Sequence, residues 1–380
     1  NHGCGQGGVD KHEPGLLRRR FFMNIMHVTC LSNNKASGVA GIVPYHIHWQ
    51  SQQANVFWLN VSVDYVPPKG MNSNYHNLND LGSMDIHLLS TKPDIVVFHG
   101  IYFYKYCQMA VQLNRMNVPY IVVPHGSLTG ASIRKKFIKK RIAFMLIFNE
   151  FLRNARAIQY LTQGEYEASG DKWNKNHIII PNGCEIPPVK KDSFRRSDVV
   201  GTFIGRKSIY YKGLDLLILA CNEIKPYLKE TNCTINIYGP DVDGSNKQLT
   251  RLIKKYGLQH NIILHDSVFG EAKERILLDS DFFVLTSRTE GHPVALLEAL
   301  SYGLPCLVTS GTNMSEEILG YNAGWASQAD LLSIAESFVK MLSDIPGFSI
   351  IGDNARRLSL NYDWASVAKS AINAYEELSR

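Results

Sequence analysis

The chain predicts an α/β protein built from two doubly wound parallel-sheet domains that face a central cleft. Three observations lead there. Short apolar runs alternate with segments of helical spacing from residue 25 onward, as parallel strands and their crossover helices require. The alternation breaks at Pro187-Pro188-Val189-Lys190-Lys191-Asp192-Ser193-Phe194-Arg195-Arg196, where prolines and charges replace the periodic pattern. It then restarts at residue 199 and runs almost to the end.

In order along the chain, strands are expected at residues 25–29, 56–59, 95–99, 120–123, 158–161 and 178–180, with a helix over 102–117. After the first strand no Gly-x-Gly-x-x-Gly appears, which argues against a dinucleotide fold of the usual kind. A small polar loop ending at Gly38 stands there instead, followed by a helix beginning near Val39. The second half offers strands at 199–204, 234–238, 262–264, 282–285 and 306–308, and a last helix around 364–378. The division expected is a preceding segment 1–22, a first domain 23–187 to which 361–380 returns, a linker 188–198 and a second domain 199–360. Residues 1–22, glycine-rich and then basic, read as an expression remnant or a disordered extension.

Composition excludes several classes. At 380 residues, 45% hydrophobic and 19% charged, the chain is long enough for two cores and ordinary for a globular protein. No apolar stretch approaches the roughly 18 residues that span a bilayer. Seven cysteines without a Cys-x-x-Cys pair give neither a disulfide framework nor a zinc pattern, and they suit a reducing cytoplasm. His2, Cys4 and His12 are too irregularly spaced to read as a metal site. The net charge of +6 is mild, but Arg134, Lys135, Lys136, Lys139, Lys140 and Arg141 cluster just before the apolar run 142–148. That basic-apolar segment reads either as a solvated helix face followed by core residues or as a stretch lying on an anionic bilayer. It lacks the interleaved aromatics of a nucleic-acid platform.

The most informative segment is 287–300. Glu290 and Glu298 lie eight residues apart, the first in a loop after an apolar strand and the second on the following helix. Pro293 suits that helix's first turn, whose open N–H groups favour an anion. Two acids beside an anion site suit a sugar nucleotide. The rival explanation, acids favouring a helix dipole, accounts for neither Gly291 nor the basic residues upstream.

Glu290, Gly291, Pro293 and Glu298, followed by Gly303-Leu304-Pro305, resemble the Glu-x7-Glu signature of family 4 of the retaining glycosyltransferases, which have the GT-B fold. Gly205-Arg206 with Lys212-Gly213-Leu214-Asp215-Leu216-Leu217 resembles that family's phosphate-binding pair, and Pro124-His125-Gly126-Ser127-Leu128 a motif of its first domain. Pro181-Asn182-Gly183 and residues 23–29 are also typical, so the resemblance covers nearly everything from Met23 onward.

What the resemblance implies is specific. Arg206 and Lys212 would neutralise the donor's diphosphate, arginine through paired N–H bonds and lysine as a point charge. Glu298 would accept from the ribose hydroxyls, Glu290 would hold hydroxyls of the donor sugar, and Gly291, His292, Pro293 and Val294 would complete the donor site. His125 would touch the transferred sugar, Gly38 would let its loop approach the phosphates, and His99 would line the acceptor side. Glu290, His125, Lys212 and Arg206 form the catalytic set.

Asp241-Val242-Asp243 has the spacing of a metal-dependent glycosyltransferase motif, but its Gly/Pro/Ser setting reads as an exposed turn. The expectation is therefore a metal-independent enzyme needing no cofactor. It would transfer a hexose or N-acetylhexosamine from a UDP-sugar, with retention, to a saccharide linked to polyprenyl diphosphate. Such an enzyme belongs to bacterial surface polysaccharide (O-antigen or capsule) assembly, peripheral on the cytoplasmic face of the inner membrane, with no nucleic-acid partner. Alternatives are a sugar-nucleotide epimerase or inverting transferase of the same fold, and a non-catalytic sugar-nucleotide-binding subunit.

Overall fold

A computed structural model describes residues 23–33, 38–62, 65–71, 74–77, 92–129 and 148–380. The basic cluster from Arg134 to Arg141 and residues 1–22 lie outside them. Two parallel sheets organise the rest. The first holds β1 (Asn24–Thr29), β2 (Asn55–Asn60), β3 (Tyr75–Asn77), β4 (Ile95–His99), β5 (Tyr120–Val123), β6 (Ala157–Tyr160) and β7 (His177–Ile179), in spatial order β3-β2-β1-β4-β5-β6-β7. The second holds β8 (Val200–Ile204), β9 (Thr234–Tyr238), β10 (Ile262–His265), β11 (Phe282–Leu285), β12 (Cys306–Thr309) and β13 (Gly324–Ser327), in order β10-β9-β8-β11-β12-β13. These are the two facing Rossmann-like sheets of the GT-B architecture.

The inner strands β1, β2, β4 and β5 alternate their side chains between two apolar layers, as a pleated backbone must. Ile25, Val97, Ile121 and Ala157 face Ile42, Val43 and Ile47 of the helix Gly38–Ser51. Met26, Val96, Phe98 and Val122 face Tyr106, Met109 and Leu113 of the helix Tyr104–Arg115. The C-terminal helix Trp364–Ser379 brings Trp364, Val367, Ala371, Ile372 and Tyr375 into the first of these layers, so the chain's end is core to its beginning. Gly183 permits this crossing: a β-carbon there would lie 2.4 Å from the Trp364 ring.

β3 and β13 were not anticipated. Both are short edge strands, and neither Tyr-His-Asn nor Gly-Trp-Ala-Ser carries the apolar run that marked the others. Gly324, at φ +156°, lies so close to the Cys306 carbonyl that no side chain fits.

The proline-rich segment before β8 is anchored. The fully buried Asp281 carboxylate accepts from the backbone N–H of Arg195 (3.1 Å) and Val200 (2.9 Å) and from the Arg195 guanidinium (3.1 Å). Lys191 Nζ lies 3.4 Å from the same group.

Candidate active site

In a doubly wound sheet, ligands bind beyond the strands' carboxyl ends where the winding reverses. The reversal points are between β1 and β4 in the first sheet and between β8 and β11 in the second. β4 delivers His99 and β5 the His125-Gly126 turn; β8 delivers Arg206 and β11 the Ser287–Glu290 loop. A polar cavity of about 290 Å³ between the two sheets is lined by His125, Gly126, Arg206, Lys212, Glu290 and Gly291, with Tyr102, Ser208 and Tyr211 among its other walls.

Glu290 is the hub of the C-terminal wall. Its Oε1 accepts from Lys212 Nζ at 2.5 Å and from Ser287 Oγ at 2.6 Å. Lys212 ends the four-residue helix Ile209–Lys212, which Gly213 terminates at φ +60°, packed so tightly on the Thr286 carbonyl that a β-carbon would lie 1.9 Å from it. The glycine thus fixes where the lysine emerges. Arg288 forms a two-pronged pair with Asp215 at 2.8 and 2.7 Å and lies over the Tyr210 ring, bracing the same short helix. Arg206 is exposed, and among the described residues no ion pair holds it. Its neighbour Lys207 is buried, donates to the His265 carbonyl at 2.8 Å, and is pulled below the ordinary lysine range by burial.

The opposite wall is a strained turn. His125 and Gly126 both have positive φ, +49° and +78°. Glu165 holds the turn, accepting from the Gly126 N–H at 2.5 Å and the Leu161 N–H at 2.7 Å. Burial pushes its carboxyl up to about 7, against the two N–H bonds, which pull it down.

Other expected site residues lie elsewhere. His292 does not reach the cavity: it is buried, its Nδ1 and carbonyl accept from Asn182 (3.0 and 3.1 Å), and Asn182 Oδ1 bonds His46 Nε2 at 3.1 Å. It is a clasp between the sheets, because the Pro181-Asn182-Gly183 turn reaches across to it. His99 does not line an acceptor surface either; it is buried behind His125, with which it shares a hydrogen bond of 3.1 Å. Pro293 caps the helix Val294–Ser301 from outside its first turn, and Val294 packs on the first domain's core. Glu298 sits on that helix, away from the cavity lining, paired with Lys273 at 2.5 Å. Gly38 begins the first long helix beside residues outside the description. Asp241 accepts from Ser245 Oγ (2.7 Å) and the Asn246 N–H (3.0 Å) as a turn cap, and Asp243 stands at φ +54°.

Sequence reasoning passed over Ser287, Lys273, Glu165 and Asn313, whose Nδ2 donates to the Glu290 carbonyl at 2.6 Å. Each acts through another residue, and only Asn313, at φ +59°, carries the local mark of a special turn.

Comparison with known proteins agrees with this architecture. Residues 190–357 match the family model described as glycosyl transferases group 1. An uncharacterized glycosyltransferase of Methanocaldococcus jannaschii is 25% identical over 289 residues, 75% of this chain and 76% of that protein. The GDP-mannose:cellobiosyl-diphosphopolyprenol alpha-mannosyltransferase of Xanthomonas campestris is 27% identical over 221 residues, 56% of this chain and 54% of that protein. The chain spans about half the length of several further curated relatives. Among solved structures, Anabaena HepE in complex with UDP and glucose superposes with a TM-score of 0.71 at 15% identity, covering 93% of this chain and all of that one. Residues 190–357 thus carry a glycosyl transferases group 1 domain, and the chain as a whole has the GT-B fold.

Proposed function

We propose that this glycosyltransferase moves a hexose or N-acetylhexosamine from a UDP-sugar, with retention and without a metal, to a saccharide carried on polyprenyl diphosphate. The observation that carries this reading is the convergence of Arg206, Lys212 and Glu290 on one polar cavity facing the His125-Gly126 turn. A departing nucleoside diphosphate needs cations where its charge develops, and Arg206 and Lys212 supply two. Both bonds to Glu290 fall on Oε1, and the carboxylate has a second oxygen with which to take a sugar hydroxyl. Its negative charge also favours the cationic character of a ring losing its leaving group. With no second carboxylate among the described residues that line the cavity, we assign front-face transfer, in which the leaving phosphate takes the incoming hydroxyl's proton.

Glu298, on the helix Val294–Ser301, is assigned to the ribose hydroxyls; reaching them requires that it exchange its bond with Lys273. The engagement of Asp241 as a turn cap supports a diphosphate neutralised by side chains rather than by a metal. A lipid-linked acceptor is supported by the Xanthomonas relative's name and by the basic cluster Arg134, Lys135, Lys136, Lys139 and Lys140, assigned to an anionic membrane surface on the cytoplasmic face. Among the described residues no helix is long and apolar enough to cross a membrane.

The test is the anomeric configuration of the product formed from a UDP-α-sugar and a short polyprenyl-diphosphate saccharide in EDTA, read by proton NMR. An α product is expected; a β product, or strict dependence on manganese, overturns the assignment.

A further inference from the structure

Behind His125 runs an unbroken line of buried side chains with no place in the chemistry above. His125 Nε2 meets His99 Nδ1 at 3.1 Å, His99 Nε2 meets His27 Nδ1 at 2.9 Å, and His27 Nε2 meets Gln50 Oε1 at 3.0 Å. Gln50 is itself buried, and it is the side-chain oxygen, not the amide nitrogen, that it turns to His27.

The direction of every bond then follows. An amide oxygen only accepts, so His27 carries its proton on Nε2 and presents Nδ1 as a lone pair. His99 must donate to it from Nε2, and His125 must donate to His99 from Nε2. We propose that Gln50, His27 and His99 form a tautomer lock that holds His125 neutral with its proton on Nε2, leaving Nδ1 as an acceptor only. His27, His99 and Gln50 are positioning residues, not catalytic ones.

The line is not a proton wire. A proton arriving at His125 Nδ1 would push one proton along each ring, and the last would have to leave His27 Nε2 for an amide oxygen, which is far too weak a base to keep it. Burial opposes an extra charge at each ring, holding His27 and His125 down at about 3 and His99 well below its ordinary value. The other titratable groups nearby are His46, which further disfavours a positive charge on all three, and Glu165, which bonds the next residue's N–H. Lys212 and Glu290 share the cavity that His125 lines. This inference rests on the reading of His125 as a donor-sugar contact only for its consequence: the histidine receives a hydrogen bond from a ligand hydroxyl and neither gives nor takes a proton.

The test is long-range proton–nitrogen NMR on the full chain labelled with 15N-histidine, the signals assigned by single replacements. His27, His99 and His125 are expected as neutral Nε2–H tautomers without titration between about pH 5.5 and 8. Gln50→Leu should scramble these tautomers and lower kcat at least about fivefold, with the donor KM within about twofold. Gln50→Glu keeps an acceptor that can also hold a proton, so it should restore the order and kcat at pH 8 while introducing a new histidine titration. A His125 protonated on Nδ1, or titrating in that range in the unaltered protein, overturns the lock; so does a Gln50→Leu protein with unchanged tautomers and rate. If Gln50→Leu does not fold, the spectrum of the unaltered protein still decides. Because the spectrum needs no donor, failure of the lock and failure of the glycosyl-transfer reading are separable.

Discussion

Gly126 and Gly291 meet backbone to backbone across the cleft: a β-carbon added to either would lie 3.2 Å from the other's amide nitrogen. The first belongs to the turn carrying His125, the second follows Glu290, so this contact sets the separation of the two walls of the cavity. Gly126 has a second reason to be glycine, its φ of +78°.

Gly126→Ala should therefore be the harsher of the two replacements. Its left-handed backbone costs about 1–2 kcal/mol with a side chain, and the contact must also widen. Gly291→Ala meets only the contact. We expect a lower thermal midpoint for Gly126→Ala than for Gly291→Ala and a reduced kcat/KM for both; a Gly126→Ala protein with unaltered midpoint and rate contradicts the close-approach argument.

Lys212→Ala and Glu290→Gln test the cavity's chemistry. Each removes a group that the proposed transfer sets where charge changes, an effect usually worth about 10²–10³ in kcat. The circular dichroism spectrum should be unchanged, since both side chains line the cavity rather than the core. Rates within a few-fold of the parent protein in both variants would remove them from the mechanism.

Glu298→Gln should behave differently. Losing a group that binds the ribose equally before and during transfer raises KM and leaves kcat nearly alone. Steady-state kinetics over a range of donor concentrations separates the cases, and a fall in kcat at unchanged KM would contradict the ribose assignment.

Acid should destabilise the fold steeply. Burial lowers five histidines: His27, His125 and His292 to about 3, His46 to about 4, and His99 well below 6.5. Each binds its proton more readily when unfolded, so their contribution is present above about pH 6.5 and lost as pH falls below it. Glu165 has the opposite sign. Its folded value of about 7 stands above the ordinary 4.5, so its contribution is present below 4.5 and is lost as pH rises through 7. Near pH 5.5 the balance is an uptake of roughly four protons on unfolding. Denaturant titrations at pH 7.5 and 5.5 should show a large loss at the lower pH, made steeper by Glu165→Gln; a flat profile contradicts the burial of neutral histidines.

Most strands were legible because each is an apolar run bounded by turn residues, and the Glu290–Glu298 spacing was legible because both acids fall in one segment. Strands β3 and β13 carried no such pattern. His292 and His99 were misplaced for a related reason: nothing local distinguishes a histidine in the cleft from one buried behind it. His292 is decided by Asn182, 110 residues earlier, and His99 by His27, 72 residues earlier. Likewise, the Lys273 partner of Glu298 and the Glu165 brace of Gly126 are contacts of folded elements, invisible to spacing along the chain.

The central claim is that Arg206 and Lys212 hold a nucleoside diphosphate without a metal. Thermal unfolding in EDTA with UDP, GDP or ADP measures this directly, since a ligand that prefers the folded state raises its midpoint. The account predicts a rise with UDP above that with the other two, abolished when both Arg206 and Lys212 are replaced by alanine. No rise with any nucleotide until manganese is added, or an undiminished rise in the double variant, would contradict it.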